Sequence, residues 1–251
     1  MKTALITGAT SGIGRAIALR LAKEKFALIL TARRNDRLQA LKQVIEHDYE
    51  TKALTLCFDV RVYSQVETAI NSLPDEWKTI DVLVNNAGLA AGLDPIHTAS
   101  LSDWEQMIDT NIKGLLYITR VISPTMVARK SGHIINIGSI AGETVYPNGV
   151  VYCATKHAVK ALSQGMRMDF LPYGIRVTEV CPGAVETEFS LVRFKGDQQR
   201  ADQVYRGFTP LVAEDIAEAV CFAVSQPPHV TIQDLLIMPT AQAAATMIHK
   251  E

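Results

Sequence analysis

Ala4-Leu5-Ile6-Thr7-Gly8-Ala9-Thr10-Ser11-Gly12-Ile13-Gly14 decides the fold. A short apolar run enters a turn holding three glycines, and a helical pattern from Ile13 to Lys23 follows at once. A strand that passes through such a turn directly into a helix opens a parallel α/β unit. Without a Cβ the glycines let backbone amides approach an anion, and the helix N-terminus adds partial positive charge. The alternation continues to the end of the chain. Strand candidates are Ala4–Thr7, Ala27–Ala32, Ala53–Phe58, Val82–Val84, His133–Ile137, Arg176–Val180 and Leu235–Met238. Helical patterns lie between them at Asp36–His47, Ser64–Leu73, Leu101–Ala128, Tyr152–Leu171 and Glu214–Val224. Pro124 is expected to kink or interrupt the longest of these. Nearly continuous apolar strands are those covered on both faces, so the prediction is an α/β fold with one doubly wound, seven-stranded parallel sheet.

With 251 residues, 48% of them apolar, the chain can bury a full core, and we expect one domain over residues 1–251. A formal charge of −1 leaves no electrostatic footprint for nucleic acid or an anionic membrane. The apolar run after Lys2 is too short for a signal peptide or a membrane span, which predicts a cytoplasmic protein. Cys57, Cys153, Cys181 and Cys221 are widely spaced, with no zinc-type grouping. They are expected to be buried reduced thiols, and no metal site is expected. The main composition shift is a polar insertion from Thr187 to Arg206, within a loop region of about 187–211. Loops after strand C-termini in open α/β sheets line the ligand crevice.

If the turn cradles a dinucleotide, its contacts are Gly8, Thr10, Ser11, Gly12, Ile13 and Gly14. The ribose is then read at the end of the second strand. Here that end is Thr31-Ala32-Arg33-Arg34, with no acid before Asp36. Two guanidinium groups where a 2′-phosphate would lie predict NADP, the alternative being a solvated arginine pair. Asp59, beside Val60, can take the adenine amino group or simply cap a turn. Asn85-Asn86-Ala87-Gly88 ends the fourth strand, where amides can line a ribose and hold strand ends together.

Tyr152 and Lys156 are four apart on a helix and share a face. Carbonyl reduction needs an acid for the oxygen, and the reverse reaction needs the same group as a base. Lowering a phenol by three units takes roughly 4 kcal/mol. A unit charge at about 5 Å in an effective dielectric of 20 supplies roughly 3 kcal/mol. Ser139, thirteen residues before Tyr152, follows the fifth strand and can donate to a substrate oxygen. Asn111 is a polar residue in an otherwise apolar helical stretch.

Thr7-Gly-x-x-x-Gly-x-Gly14, Asn85-Asn-Ala-Gly88, Asn111, Ser139, Tyr152-x-x-x-Lys156 and Cys181-Pro-Gly183 stand in one order along the chain. On these motifs it resembles the short-chain dehydrogenase/reductase family over essentially its whole length. The resemblance implies a Rossmann-type sheet with helices on both faces. It implies Tyr152 as acid/base, Lys156 on the nicotinamide ribose, Ser139 orienting substrate and Asn111 holding a relay water. It also implies that Pro182, Gly183, Val185 and Thr187 lie over the nicotinamide, and that the chain forms a homotetramer through the helices of Asn111 and Tyr152. The segments Thr187–Asp197, Glu214–Ala219, Pro228–Val230 and Ile237–Pro239 resemble the NADP-dependent serine and 3-hydroxy acid dehydrogenase branch. Glu143-Thr-Val-Tyr-Pro147 departs from it by lacking a tryptophan, which implies a pocket of different size; Tyr146 is a candidate to contact substrate, the alternative being packing within the loop. A small 3-hydroxy acid would need a cation for its carboxylate; Arg193 is the candidate and Lys195 the reserve. The competing readings are a broader carbonyl reductase and a non-catalytic NADP-binding regulator. The alanine-rich tail Thr240–Ala245 is expected against a neighbouring subunit.

Overall fold

A computed structural model describes residues 1–251. The strands are β1 (Thr3–Thr7), β2 (Ala27–Ala32), β3 (Ala53–Cys57), β4 (Val82–Asn85), β5 (Gly132–Ile137), β6 (Ile175–Pro182) and β7 (Asp234–Ile237). They form one sheet in the order β3-β2-β1-β4-β5-β6-β7, with every pair parallel. The helices are α1 (Gly12–Lys23), α2 (Asn35–Asp48), α3 (Tyr63–Asn71), α4 (Leu101–Ile108), α5 (Leu115–Arg129), α6 (Val150–Phe170), α7 (Glu188–Arg193), α8 (Gln198–Tyr205) and α9 (Ala213–Ser225).

Successive strand residues face opposite sides of the sheet, so each strand feeds two cores. Ala4, Ile6, Leu28, Leu30 and Val84 pack under α1, α2 and α9 through Ile17, Leu38 and Ile216. Leu5, Ile29, Leu83, Ile134 and Val177 pack under α3, α5 and α6 through Val66, Ile118 and Val159. The chain winds outward from β1 to β3, then returns to β4 on the other side of β1. That reversal opens a crevice beyond the strand C-termini, where ligands bind in such sheets.

Four expectations need correction. The predicted helix Leu101–Ala128 is interrupted by a π turn at Asp109–Gly114, and Pro124 lies inside a continuous α5. The turn is fixed by tertiary contacts: Asn111 bonds the Leu89 backbone, and a Cβ on Gly114 would meet Val60 Cγ2 at 2.8 Å. Pro124 removes one ladder donor, but Arg120, whose carbonyl loses it, is on the exposed flank and can turn to water. Cys57 is exposed, because β3 is an edge strand with one open flank. The tail folds on its own chain as an antiparallel pair, β8 (Gln242–Ala244) and β9 (Met247–Ile248). Gln242 is buried and accepts from Ala184 N at 2.8 Å, while Glu251 N donates to Gly207 O at 2.8 Å. Lys195 is the fourth, taken up below.

The insertion supplies α7 and α8, and its base is closed where Val185 bridges Leu211. No helix is long and apolar enough to cross a membrane.

Candidate active site

A cleft of about 630 Å³ runs along the strand C-termini. Its walls include Gly8, Thr10, Ser11, Gly12, Ile13, Arg33, Arg34, Asp59, Val60, Asn86, Ala87, Gly88, Ser139, Tyr146, Tyr152, Lys156, Pro182, Gly183, Val185, Thr187 and Arg193. Gly14 and Asn111 stand behind the wall.

At the β1 end, Gly8 and Gly12 have φ of +67° and +48°, a region that side chains strain to adopt. A Cβ on Gly14 would fall on Asn86 Nδ2 and Gly8 O. Thr7 ties this turn to β4, its hydroxyl accepting from Asn86 N (3.0 Å) and Ala87 N (2.9 Å). Asn86 donates its side-chain amide to Thr7 O at 2.8 Å and Gly8 O at 3.2 Å. Its side-chain amide nitrogen therefore holds the turn. Ser11 begins α1 without a side-chain cap, and no acid lies in the first turn. Those amides remain available to an anion, so the residues present fit a dinucleotide pyrophosphate.

Arg34 donates to Thr10 Oγ1 (3.1 Å), Ser11 Oγ (2.9 Å) and Glu188 (3.3 Å). Arg37 reaches the same carboxylate at 2.8 Å. Asp59 is gripped by Arg61, through Nε at 3.0 Å to each oxygen and through NH2 at 2.6 Å. The carboxylate thus closes a turn while lining the cleft.

At the other end, Ser139 follows β5 and accepts from Ala141 N at 3.1 Å. Tyr152, in the first turn of α6, is 8% exposed. Lys156 Nζ donates to Ile137 O at 2.8 Å and lies 5.9 Å from the Tyr152 ring centroid. Burial lowers Lys156 to about 8. Burial raises the Tyr152 phenol, opposed first by the charge of Arg193 and then by a hydrogen bond from Ser139. Two cations therefore flank Tyr152: Lys156, as expected from the sequence, and Arg193, whose charge favours the phenolate.

Arg193 ends α7 with its guanidinium carbon 5.0 Å from the Tyr152 ring centroid and 5.6 Å from those of Tyr146 and Phe189. It donates to the Tyr146 hydroxyl, and its Nε is buried with no acceptor. No carboxylate pairs with it. Lys195 is directed elsewhere, onto Asp103 at 2.9 Å. Asn111 donates to Leu89 O (2.9 Å) and Thr155 Oγ1 (3.0 Å), which consumes both amide hydrogens.

Residues 2–197 match the family described as short chain dehydrogenase. The chain is a short-chain dehydrogenase. A Salmonella typhimurium relative, "NADP-dependent 3-hydroxy acid dehydrogenase YdfG", is 49% identical over 248 residues, 98% of each chain. The "NADP-dependent 3-hydroxy acid dehydrogenase" of Schizosaccharomyces pombe is 43% identical, over 100% of this chain and 97% of its own. Among solved structures, the closed form of serine dehydrogenase complexed with NADP+ superposes with a TM-score of 0.92 at 46% identity. It covers 99% of this chain and 100% of that one.

The structure also brings forward residues that sequence reasoning passed over. Glu188 and Arg37 meet across 151 positions, a separation no local pattern reports. Glu179 is 1% exposed on β6, both its oxygens lack partners, and burial pushes its carboxyl up. An acid amid the apolar residues of a strand was its one visible signal.

Proposed function

We propose that this dehydrogenase uses NADP to interconvert a small 3-hydroxy acid, such as serine or 3-hydroxypropionate, with its 3-oxo acid. The observation that carries the reading is Arg193: an unpaired guanidinium beside the phenol of Tyr152, with a buried Nε and no acceptor. A planar guanidinium suits a carboxylate, and one beside the reacting group selects substrates that carry an acid close to the hydroxyl. The relatives' NADP and 3-hydroxy acid chemistry supports the same assignment.

When bound, the nicotinamide supplies or takes the hydride. The α1 amides would hold the pyrophosphate, and Arg33 and Arg34, beside Thr10 and Ser11, would hold the 2′-phosphate. Pro182, Gly183, Val185 and Thr187, which line the cleft, would cover the nicotinamide end. Tyr152 gives its proton to the substrate oxygen in reduction and takes it back in oxidation. Ser139 would hold that oxygen, and Lys156 would bind the ribose. Asn111 braces the π turn behind Lys156, so a relay water would use its remaining oxygen lone pair. Tyr146 fixes Arg193 through its hydroxyl and forms the wall beside it.

A broader carbonyl reductase has one observation in its favour, the apolar Phe189 and Val192 along the cleft. Initial rates of NADP+ reduction with 3-hydroxypropionate, serine, propane-1,3-diol and a secondary alkanol separate the two. Acids should lead by at least tenfold in kcat/KM; equal rates with the diol would remove the carboxylate from the account. We further propose a single domain working as a cytoplasmic homotetramer.

A further inference from the structure

Helix α7 carries a charge at each end, and the two ends face different parts of the cleft. Glu188, its first residue, accepts from Arg37 at 2.8 Å and Arg34 at 3.3 Å. Arg34 spreads its other nitrogens over Thr10 and Ser11 of the glycine turn. The preceding residue, Thr187, lies 3.3 Å from the position a Cβ on Gly12 would take. The start of α7 is therefore strapped across the turn that receives the pyrophosphate. Arg193, the last residue of the helix, rests on the Tyr152 ring at 5.0 Å. About 8 Å of helix thus joins a carboxylate fixed at the cofactor's phosphate end to a guanidinium fixed at the reacting end.

We propose that Glu188 is a positioning residue that locks α7 across the cofactor groove and thereby holds Arg193 over Tyr152. Retention of the dinucleotide and grip on the substrate carboxylate are then one event. The inference rests on the cofactor and carboxylate assignments made above. Its charges balance: Arg33, Arg34 and Arg37 bring three positive charges and Glu188 one negative, a surplus of two that suits a phosphate dianion. Its donors suffice as well. Arg37 places one nitrogen on Glu188, so a 2′-phosphate finds free N–H groups without evicting the latch. Hydrogen bonds from Arg37 and Arg34 hold the Glu188 carboxyl below its usual range, so it is ionised at neutral pH.

The test compares wild type, Glu188→Gln and the charge swap Glu188→Arg/Arg37→Glu. Release of bound NADPH and, separately, of NADH is followed by nicotinamide fluorescence in a chase. Exposed ion pairs contribute a factor of about two to five each, so loss of both in Glu188→Gln should release both nucleotides roughly four- to twenty-five-fold faster. KM for 3-hydroxypropionate should rise by a similar factor, KM for propane-1,3-diol should stay put, and kcat should not fall. The swap should return release and KM toward wild type by restoring the Arg37 pair. Unchanged or slower release would overturn the proposal. So would acceleration confined to NADPH, which would restrict Glu188 to tuning the phosphate, or an equal KM rise for acid and diol. A wild type with no preference for the acid would instead defeat the carboxylate assignment, leaving the release rates to judge the latch.

Discussion

Tyr152 is subject to opposing influences: burial favours the neutral phenol, while Arg193 and Ser139 favour the phenolate. Replacing Arg193 by Met should cost on the order of 2 kcal/mol in transition-state binding of acids, or about thirtyfold in kcat/KM. Uncharged alcohols should lose far less, and equal losses would mean that Arg193 only organises its loop. Lys156 makes a different prediction. Its folded value is depressed from 10.5 to about 8, so between those pH values the unfolded chain holds a proton that the native chain has released. The burial penalty is fully present below about 8 and is relieved as pH rises toward 10.5. That depression corresponds to roughly 3 kcal/mol, against about 1 kcal/mol for the bond to Ile137 O. Lys156→Met should therefore raise Tm at pH 7 by a few degrees, with the gain shrinking by pH 10, while turnover and NADPH affinity fall. A lower Tm at pH 7 would reject this account. That Tyr152, Lys156 and Ser139 would come together at one end of the cleft was legible in the sequence because their spacing and elements are local. The stacking of Arg193 on Tyr152 was not, since it depends on how an irregular insertion folds back.

At the scale of elements, the seven strands were readable because burial on both faces writes each as an apolar run, as in Ala27–Ala32. The π turn at Asp109–Gly114 was not, because it is imposed by Leu89, Thr155 and Val60, all remote in sequence. The β8–β9 pair was missed for a similar reason: a buried Gln242 anchors it to Ala184, and glutamine in an alanine-rich stretch carries no strand signal. The end of β2 supports the most direct prediction at this scale. Arg33 lines the cleft and Arg34 is oriented by Thr10 and Ser11, and on the proposed function the two receive the 2′-phosphate. Hydrogen bonds to a charged group contribute about 1.5 to 3 kcal/mol each, roughly tenfold to over a hundredfold in the cofactor ratio. Changing both residues to Ala should collapse the preference for NADP+ over NAD+ in kcat/KM while sparing the rate with NAD+. A preference that survives the double change would place the phosphate elsewhere.

For the whole molecule, the question is what covers the apolar surface that one chain leaves open. The tail no longer needs a neighbour, because β8 and β9 dock on their own chain. We propose that two other regions do. On one side Leu116 of α5, Val150 and Met168 of α6, and Leu171 just beyond it are 38%, 46%, 75% and 78% exposed. On another, Phe222 of α9 and Leu236 of the edge strand β7 are 51% and 54% exposed. An edge strand with an outward leucine invites pairing, and soluble chains normally cover such an edge. Each patch can be buried by a two-fold axis, and two perpendicular two-fold axes close a dihedral tetramer. Light scattering at micromolar concentration should therefore give about four times the 27.5 kDa of the chain. Phe222→Asp with Leu236→Lys should halve that mass by removing one axis and leaving the other, without unfolding a chain whose altered side chains are half-exposed. A wild type that scatters as a monomer would refute the assembly. A tetramer indifferent to the double change would move its second interface away from β7.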